Sequence, residues 1–209
     1  MINNENRELT AMQVDALAEL GNIGASTAAT ALSQMLSMSI DVKTPEVKML
    51  NPNEAAIALG GYERIVVGMM FSFTGDFCGL MVFLIGEEFA CNALYTLMMG
   101  MKEYPDLSEA GEMERSALCE IGNIMAASYL RALSQVIDSA LDLSVPSISI
   151  DMLGAVLNAP AVAMAPISDK MLFIEGNFEM QGKATPCNIL LMPDEDAMDQ
   201  LMNKLGIEK

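Results

Sequence analysis

The chain has 209 residues, 52% hydrophobic and 19% charged, which is enough apolar content for a sizeable core and too much for a disordered chain. Its formal net charge of −17 repels phosphate backbones and anionic bilayers, so neither nucleic acid nor membrane insertion is expected. Histidine is absent, which removes imidazole acid–base catalysis, Ser-His and Cys-His nucleophile pairs, and imidazole metal ligands.

Taken from the N-terminus, Met1 to Gln13 is polar and mixed in charge, unlike a signal peptide. Leu9 to Met38 has apolar residues near helical spacing and is rich in good helix formers, with Thr10 placed to cap it. Strands are predicted for Ile40 to Leu50, alternating around Pro45, for the short run Ala55 to Leu59, and for Arg64 to Phe73 and Gly79 to Ile85. Glu87 to Met98 reads as a helix stopped by Gly100. Lys102 to Leu107, with Pro105, is the one obvious joint.

A second long helix is predicted from a Ser108 cap to about Ala140, with Glu109 and Glu112 placing negative charge in its first turn. Strands near Ser144 to Asp151, Ala155 to Ala163, Leu172 to Phe178 and Cys187 to Leu191 follow, then a closing helix from Asp194 to Leu205. The most apolar stretch, Met152 to Ile167, is too short to cross a bilayer and contains Asn158, Pro160 and Pro166. Short connections between strands predict a largely antiparallel or mixed sheet, in an α/β (α+β) fold expected to be soluble and cytoplasmic.

Cys78, Cys91, Cys119 and Cys187 form no C-x-x-C pair and read as reduced, buried thiols, with no metal site expected. The 20 methionines read either as a soft core or as a Met-rich contact surface.

The strongest signal is internal repetition. Ala16-Leu17, Glu19, Gly21-Asn22-Ile23, Ala25, Ala31-Leu32-Ser33-Gln34 and Pro45 return as Ala117-Leu118, Glu120, Gly122-Asn123-Ile124, Ala126, Ala132-Leu133-Ser134-Gln135 and Pro146, all at an offset of 101. Two units do not make a solenoid; they suggest one pseudo-two-fold domain of two repeats, about residues 9–100 and 108–209.

Within the repeat, Asp15, Glu19 and Asn22 fall at i, i+4 and i+7 and so share one stripe of a helix; Ser116, Glu120 and Asn123 repeat it. Such a stripe is ordinarily a solvated face, yet a solvated face needs no particular residue types, and here Glu and Asn recur at matching positions. Pro45 and Pro146 each follow the asparagine by 23 residues and suit a strand start or edge, where no amide donor is needed. Gly21 and Gly24 each cost about 1 kcal/mol in a helix, a cost offset by close helix packing or by a partner approaching the backbone.

Both copies fit Asp/Ser-x3-Glu-x2-Asn-x22-Pro, and the chain resembles the CheC/CheX/FliY family of chemotaxis phosphatases along essentially its whole length. Two intact motifs resemble the CheC branch more than the shorter, single-motif CheX branch, and the length leaves no room for a FliY-type switch domain. The resemblance implies an α/β pseudo-dimer with both motif helices exposed. It implies an enzyme that hydrolyses the aspartyl phosphate of the response regulator CheY, with Asn22 and Asn123 orienting the attacking water and Glu19 and Glu120 anchoring the partner. Asp15, Ser116, Pro45 and Pro146 are secondary motif positions. No cofactor of its own is implied, since the regulator brings its Mg²⁺. The family also implies CheD, a receptor deamidase, as a partner, and the stretch around Asp151, where the halves diverge, is the expected contact. The alternative is a non-catalytic adaptor that binds CheD or the flagellar switch.

Overall fold

The computed structural model describes residues 9–76, 78–108, 110–164, 171–180, 183–194 and 197–204. The elements in chain order are α1 (Ala11–Leu36), β1 (Ile40–Leu50), α2 (Pro52–Ala58), β2 (Ile65–Gly75), β3 (Gly79–Gly86), α3 (Glu87–Leu97), α4 (Glu112–Ile137), β4 (Leu141–Leu143), β5 (Ser147–Met152), α5 (Leu153–Met164), β6 (Met171–Met180), β7 (Lys183–Pro193) and α6 (Ala197–Lys204).

Local chemistry explains the ends of the long helices. Thr10 Oγ1 accepts from the Gln13 amide, and Gln13 Oε1 accepts from the Thr10 amide, so two otherwise orphaned donors are satisfied reciprocally. Both long helices terminate on a left-handed residue, Ser37 (φ 53°) and Asp138 (φ 46°), at corresponding positions of the repeat. The cap of α4 is Gly111 rather than the expected Ser108. Glu114 supplies the reason: its Oε2 accepts from the Gly111 amide at 3.1 Å, while Ser108 is held in a local turn by Asp106. Glu112 and Glu114 are the first-turn carboxylates; Glu109 lies outside the described residues.

The strands form one sheet in the order β1-β6-β7-β3-β2-β4, with β5 also pairing β2, and every pairing among the described residues is antiparallel. The two repeats interleave. β1, from the first, lies on β6 of the second, and β5, from the second, lies on β2 of the first. The central hairpins meet through β3 and β7, with Val82 opposite Leu190. Both outer strands break where the prolines fall. β1 shifts register between Lys43 and Glu46, around Pro45, and β4 and β5 are the counterpart strand interrupted before Pro146. A residue lacking an amide donor sits where the ladder is already disrupted, on an edge strand.

Helices cover both faces of the sheet. α1, α3, α4 and α6 bury Leu17, Leu32, Phe89, Ile121, Leu133 and Leu201 against Phe71, Phe83, Ile174 and Ile189. α2 and α5 bury Ala55, Ala56, Leu59, Val156 and Leu157 against Val82, Leu84, Phe173 and Leu190. Central strands buried on both faces explain why β3 and the Ile189–Met192 part of β7 are continuous apolar runs instead of alternating ones.

Two predicted strands are helices. Ala55 to Ala58 belongs to α2, with Leu59 as its C-cap, and Ala155 to Ala163 lies within α5. Asn51 Oδ1 accepts from the Asn53 and Glu54 amides, Glu54 Oε2 accepts from the Asn51 amide, and Pro52 occupies the first turn; together these are a helix start. At the head of α5, the Leu153 and Gly154 amides are taken by the Arg64 and Tyr62 carbonyls. The buried positions Ala55, Ala56 and Leu59, like Val156, Leu157 and Pro160, fall at i, i+1 and i+4, a helical period. Among the described residues, no helix is long and apolar enough to cross a membrane.

The joint between the repeats is packed rather than loose. Tyr104 and Leu107 are buried, the Leu107 amide donates to Glu87 Oε1 at 3.0 Å, and the Tyr104 hydroxyl donates to Glu114 Oε1 at 3.0 Å. The four cysteines are free thiols. Burial, with repulsion from Glu87 and Asp106, pushes the Cys91 thiol up to about 11, and burial likewise raises Cys119 and Cys187, so these three are poor nucleophiles. Among the described residues, no cluster of Cys, Asp and Glu could hold a metal ion.

Candidate functional site

α1 and α4 lie side by side on one face of the sheet and turn corresponding stripes outward. Glu19 and Glu120 are exposed, as are Asp15 and Ser116; Asn22 and Asn123 are half-buried. Neither carboxamide has a protein hydrogen-bond partner among the described residues, nor does either glutamate. A carboxamide presents both a donor and an acceptor, whereas an ionised carboxylate only accepts; with that capacity unused, the two asparagines and two glutamates are open to solvent or to another molecule. Each half therefore offers one carboxylate and one carboxamide, three positions apart on a helix.

The inner face of each motif helix explains its glycines. A methyl group at Gly21 would come within 3.1 Å of Pro45 Cγ and 3.2 Å of Ile174 Cγ2. A methyl group at Gly122 would collide with Met69 Sδ. Ile174 and Met69 are paired with Val47 and Ile148, themselves 101 residues apart, so the two glycines press on corresponding places of the interleaved sheet. At Gly24 a methyl group would stand 2.7 Å from the Tyr129 ring. Close packing within the chain, not access for a partner, is what requires these glycines. Buried Pro45 is thus a floor under the first motif; Pro146 is half-buried in the corresponding place.

Tyr129 was not singled out by the sequence. Its hydroxyl donates to the Gly21 carbonyl at 2.8 Å, one residue before Asn22, and its ring stacks edge-on against Phe83 at 5.9 Å. Its counterpart in the first repeat is Ala28, while Gly24 corresponds to Met125. A large-for-small exchange at one position accompanies a small-for-large exchange at the other, and that paired mismatch was the readable signal.

Asp151 is exposed near the end of β5, on an outer strand of the sheet, and its Oδ1 accepts from the Met152 amide at 2.7 Å. It touches neither stripe through any hydrogen bond among the described residues.

A model of the CheC-like family matches residues 12–49 and 113–150, the two motif helices with the outer strands that follow them. The chain is 32% identical over 198 residues to the CheY-P phosphatase CheC of Bacillus subtilis (strain 168), covering 93% of this chain and 94% of that protein. The crystal structure of FliY from Thermotoga maritima superposes with a TM-score of 0.75 at 21% identity, covering 97% of this chain and all of that one, and so shares the fold. A chain of the CheX–CheY–BeF3–Mg complex from Borrelia burgdorferi superposes with a TM-score of 0.52 at 16% identity, covering 83% of this chain and 97% of that one. The chain belongs to the CheC-like family.

Proposed function

We propose, from that membership, that this protein is a phosphatase acting on phosphorylated CheY. Similarity to a CheY-P phosphatase over nearly the whole chain supports the phosphatase role. The observation that carries the finer reading is the pair of exposed Glu/Asn stripes whose polar groups have no partner among the described residues.

The chemistry asks little of such a protein. In an acyl phosphate the bond to be broken is already activated. A water oxygen attacks phosphorus, the bond to the aspartyl oxygen breaks, and the carboxylate leaves as inorganic phosphate forms. Asn22 or Asn123 holds that water in line, accepting from it with the amide oxygen while the amide nitrogen donates to it or to the phosphoryl group. GTPases use a glutamine carboxamide in a comparable way. Glu19 or Glu120 pairs with a lysine at the regulator's active site and fixes the docking geometry. The Mg²⁺ belongs to the regulator, where it offsets phosphoryl charge. No histidine, metal or shifted pKa on this chain is needed, in keeping with the composition.

Decay of radiolabelled phospho-CheY, with and without the protein, tests the reading. N22A and N123A should each leave the other site working. The double variant should fall to the regulator's own decay rate with its thermal melt unchanged, because both side chains reach the surface. Full activity in a folded double variant rejects the role assigned to the amides. The adaptor reading predicts no acceleration by the wild type. For CheD, exposed Asp151 is the proposed contact, and D151K should lose capture of CheD while keeping phosphatase activity; undiminished capture removes that residue from the interface.

A further inference from the structure

We infer that the phosphorylated partner is gripped beside each motif by an exposed methionine, and that at α4 this methionine forms one wall of an apolar groove that receives a side chain of the same partner. This rests on the function proposed above. Met35 at the end of α1, Leu97 and Met98 at the end of α3, and Met113 on α4 line an open groove of about 710 Å³ that continues to Ser116 and Glu120. Ser116 and Glu120 are motif positions, so groove and candidate site share a wall. Met113 is 70% exposed. Met12, its counterpart at the offset of 101, is 66% exposed.

An exposed thioether gains nothing from the chain's own core. Here it stands three residues ahead of Asp15 in one copy and of Ser116 in the other, on the same helical stripe as the Glu and Asn. A protein interface of ordinary size covers about 800 Å² on each side, a disc of roughly 16 Å radius. Met113 lies about 15 Å along the helix axis from Asn123 at 1.5 Å per residue, and about 10 Å from Glu120. A partner that seats a phosphoaspartate over Asn123 and a lysine on Glu120 therefore covers Met113 and the groove mouth. The groove lining combines aliphatic and thioether side chains with the carboxylates of Glu112 and Glu120. The segment that fits is an apolar side chain flanked by a cation, and methionine walls adapt to its shape.

Two measurements test this separately from catalysis. CheY loaded with beryllofluoride in place of the phosphoryl group is titrated against wild type, M12A/M113A and, as a control on the opposite face of the sheet, I57A. The methionine double variant should weaken binding about tenfold or more, and I57A should not change it. In steady-state phosphatase assays, M113A in an N22A background, where only the second site turns over, should raise KM about five- to tenfold with kcat unchanged. M12A in an N123A background should do the same at the first site. Unchanged affinity and KM in these folded variants overturn the inference. So does sedimentation showing a wild-type dimer that M113A dissolves, for the groove would then hold a second copy of this chain. Failure of the function reading appears elsewhere, as full activity of N22A/N123A with the methionine effect on affinity still measurable.

Discussion

The two motif helices, α1 and α4, carry the same working residues and are held by different means. α1 begins with a neutral capping box, Thr10 with Gln13; α4 begins with a glycine whose amide is taken by the Glu114 carboxylate. The contact between them is asymmetric as well. α4 sends Tyr129 across to the Gly21 carbonyl and over Gly24, whereas α1 offers only Ala28 at the matching position. Yet Glu19 and Asn22 face solvent as Glu120 and Asn123 do. A duplicated core can diverge as long as each large residue meets a small one, because packing needs only total volume and shape to be conserved. The outward stripe has no such freedom if both copies meet the same partner.

The largest expected effect breaks the comparison on its inner side. Y129A should cost about 3–5 kcal/mol in denaturant unfolding, the range for truncating a large buried aromatic, whereas its counterpart in the first repeat is already an alanine, Ala28. Y129F isolates the hydroxyl and should cost about 1 kcal/mol. Next comes the outer side. N22A/N123A should lose roughly a hundredfold in phosphatase rate, about 2.7 kcal/mol of barrier, and the ratio of the two single variants measures how unequal the sites have become.

The caps are smaller levers. T10A should cost about 1 kcal/mol, equally at all pH values between 3 and 9, since neither partner titrates there. E114Q should behave differently. The Glu114 carboxyl is held below its ordinary value by its own backbone amide, the Tyr104 hydroxyl, the Gly111 amide and Lys102. A depressed folded-state value contributes stability above the unfolded pKa and loses it as pH falls through the folded one. The Tm of E114Q should therefore trail that of the wild type at neutral pH, with the gap closing below about pH 4.

The repeat and its outward stripe were legible because a fixed offset and a helical spacing are properties of the one-dimensional string. The boundaries of α1 and β1, and the position of the sheet's central hairpins, followed from composition and alternation. α2 and α5 were misread because short runs of Ala, Val, Leu and Ile have no period that separates a strand from a buried helix turn. The capping pattern of Asn51, Pro52 and Glu54 would have settled the first of them. The exchange of outer strands could not be read at all. Ile40 pairs with Met180, and nothing local in either segment names a partner so distant. Tyr129 escaped for a related reason: its importance lies in the space above Gly24, on another helix.

That exchange has a consequence for how the molecule is made. During synthesis β1 emerges with its hydrogen-bonding edge unmet until β6 follows, Leu50 waiting for Met171. At ~5–20 residues per second the delay is about 6–24 s. Through that interval a strand with one apolar face must stay unaggregated, and Lys43, Pro45 and Lys48 along β1 are the residues that discourage stray strands from adding to it. Pairings so remote in sequence also place this protein among slow folders, since the entropy of closing the loop is lost before any ladder forms.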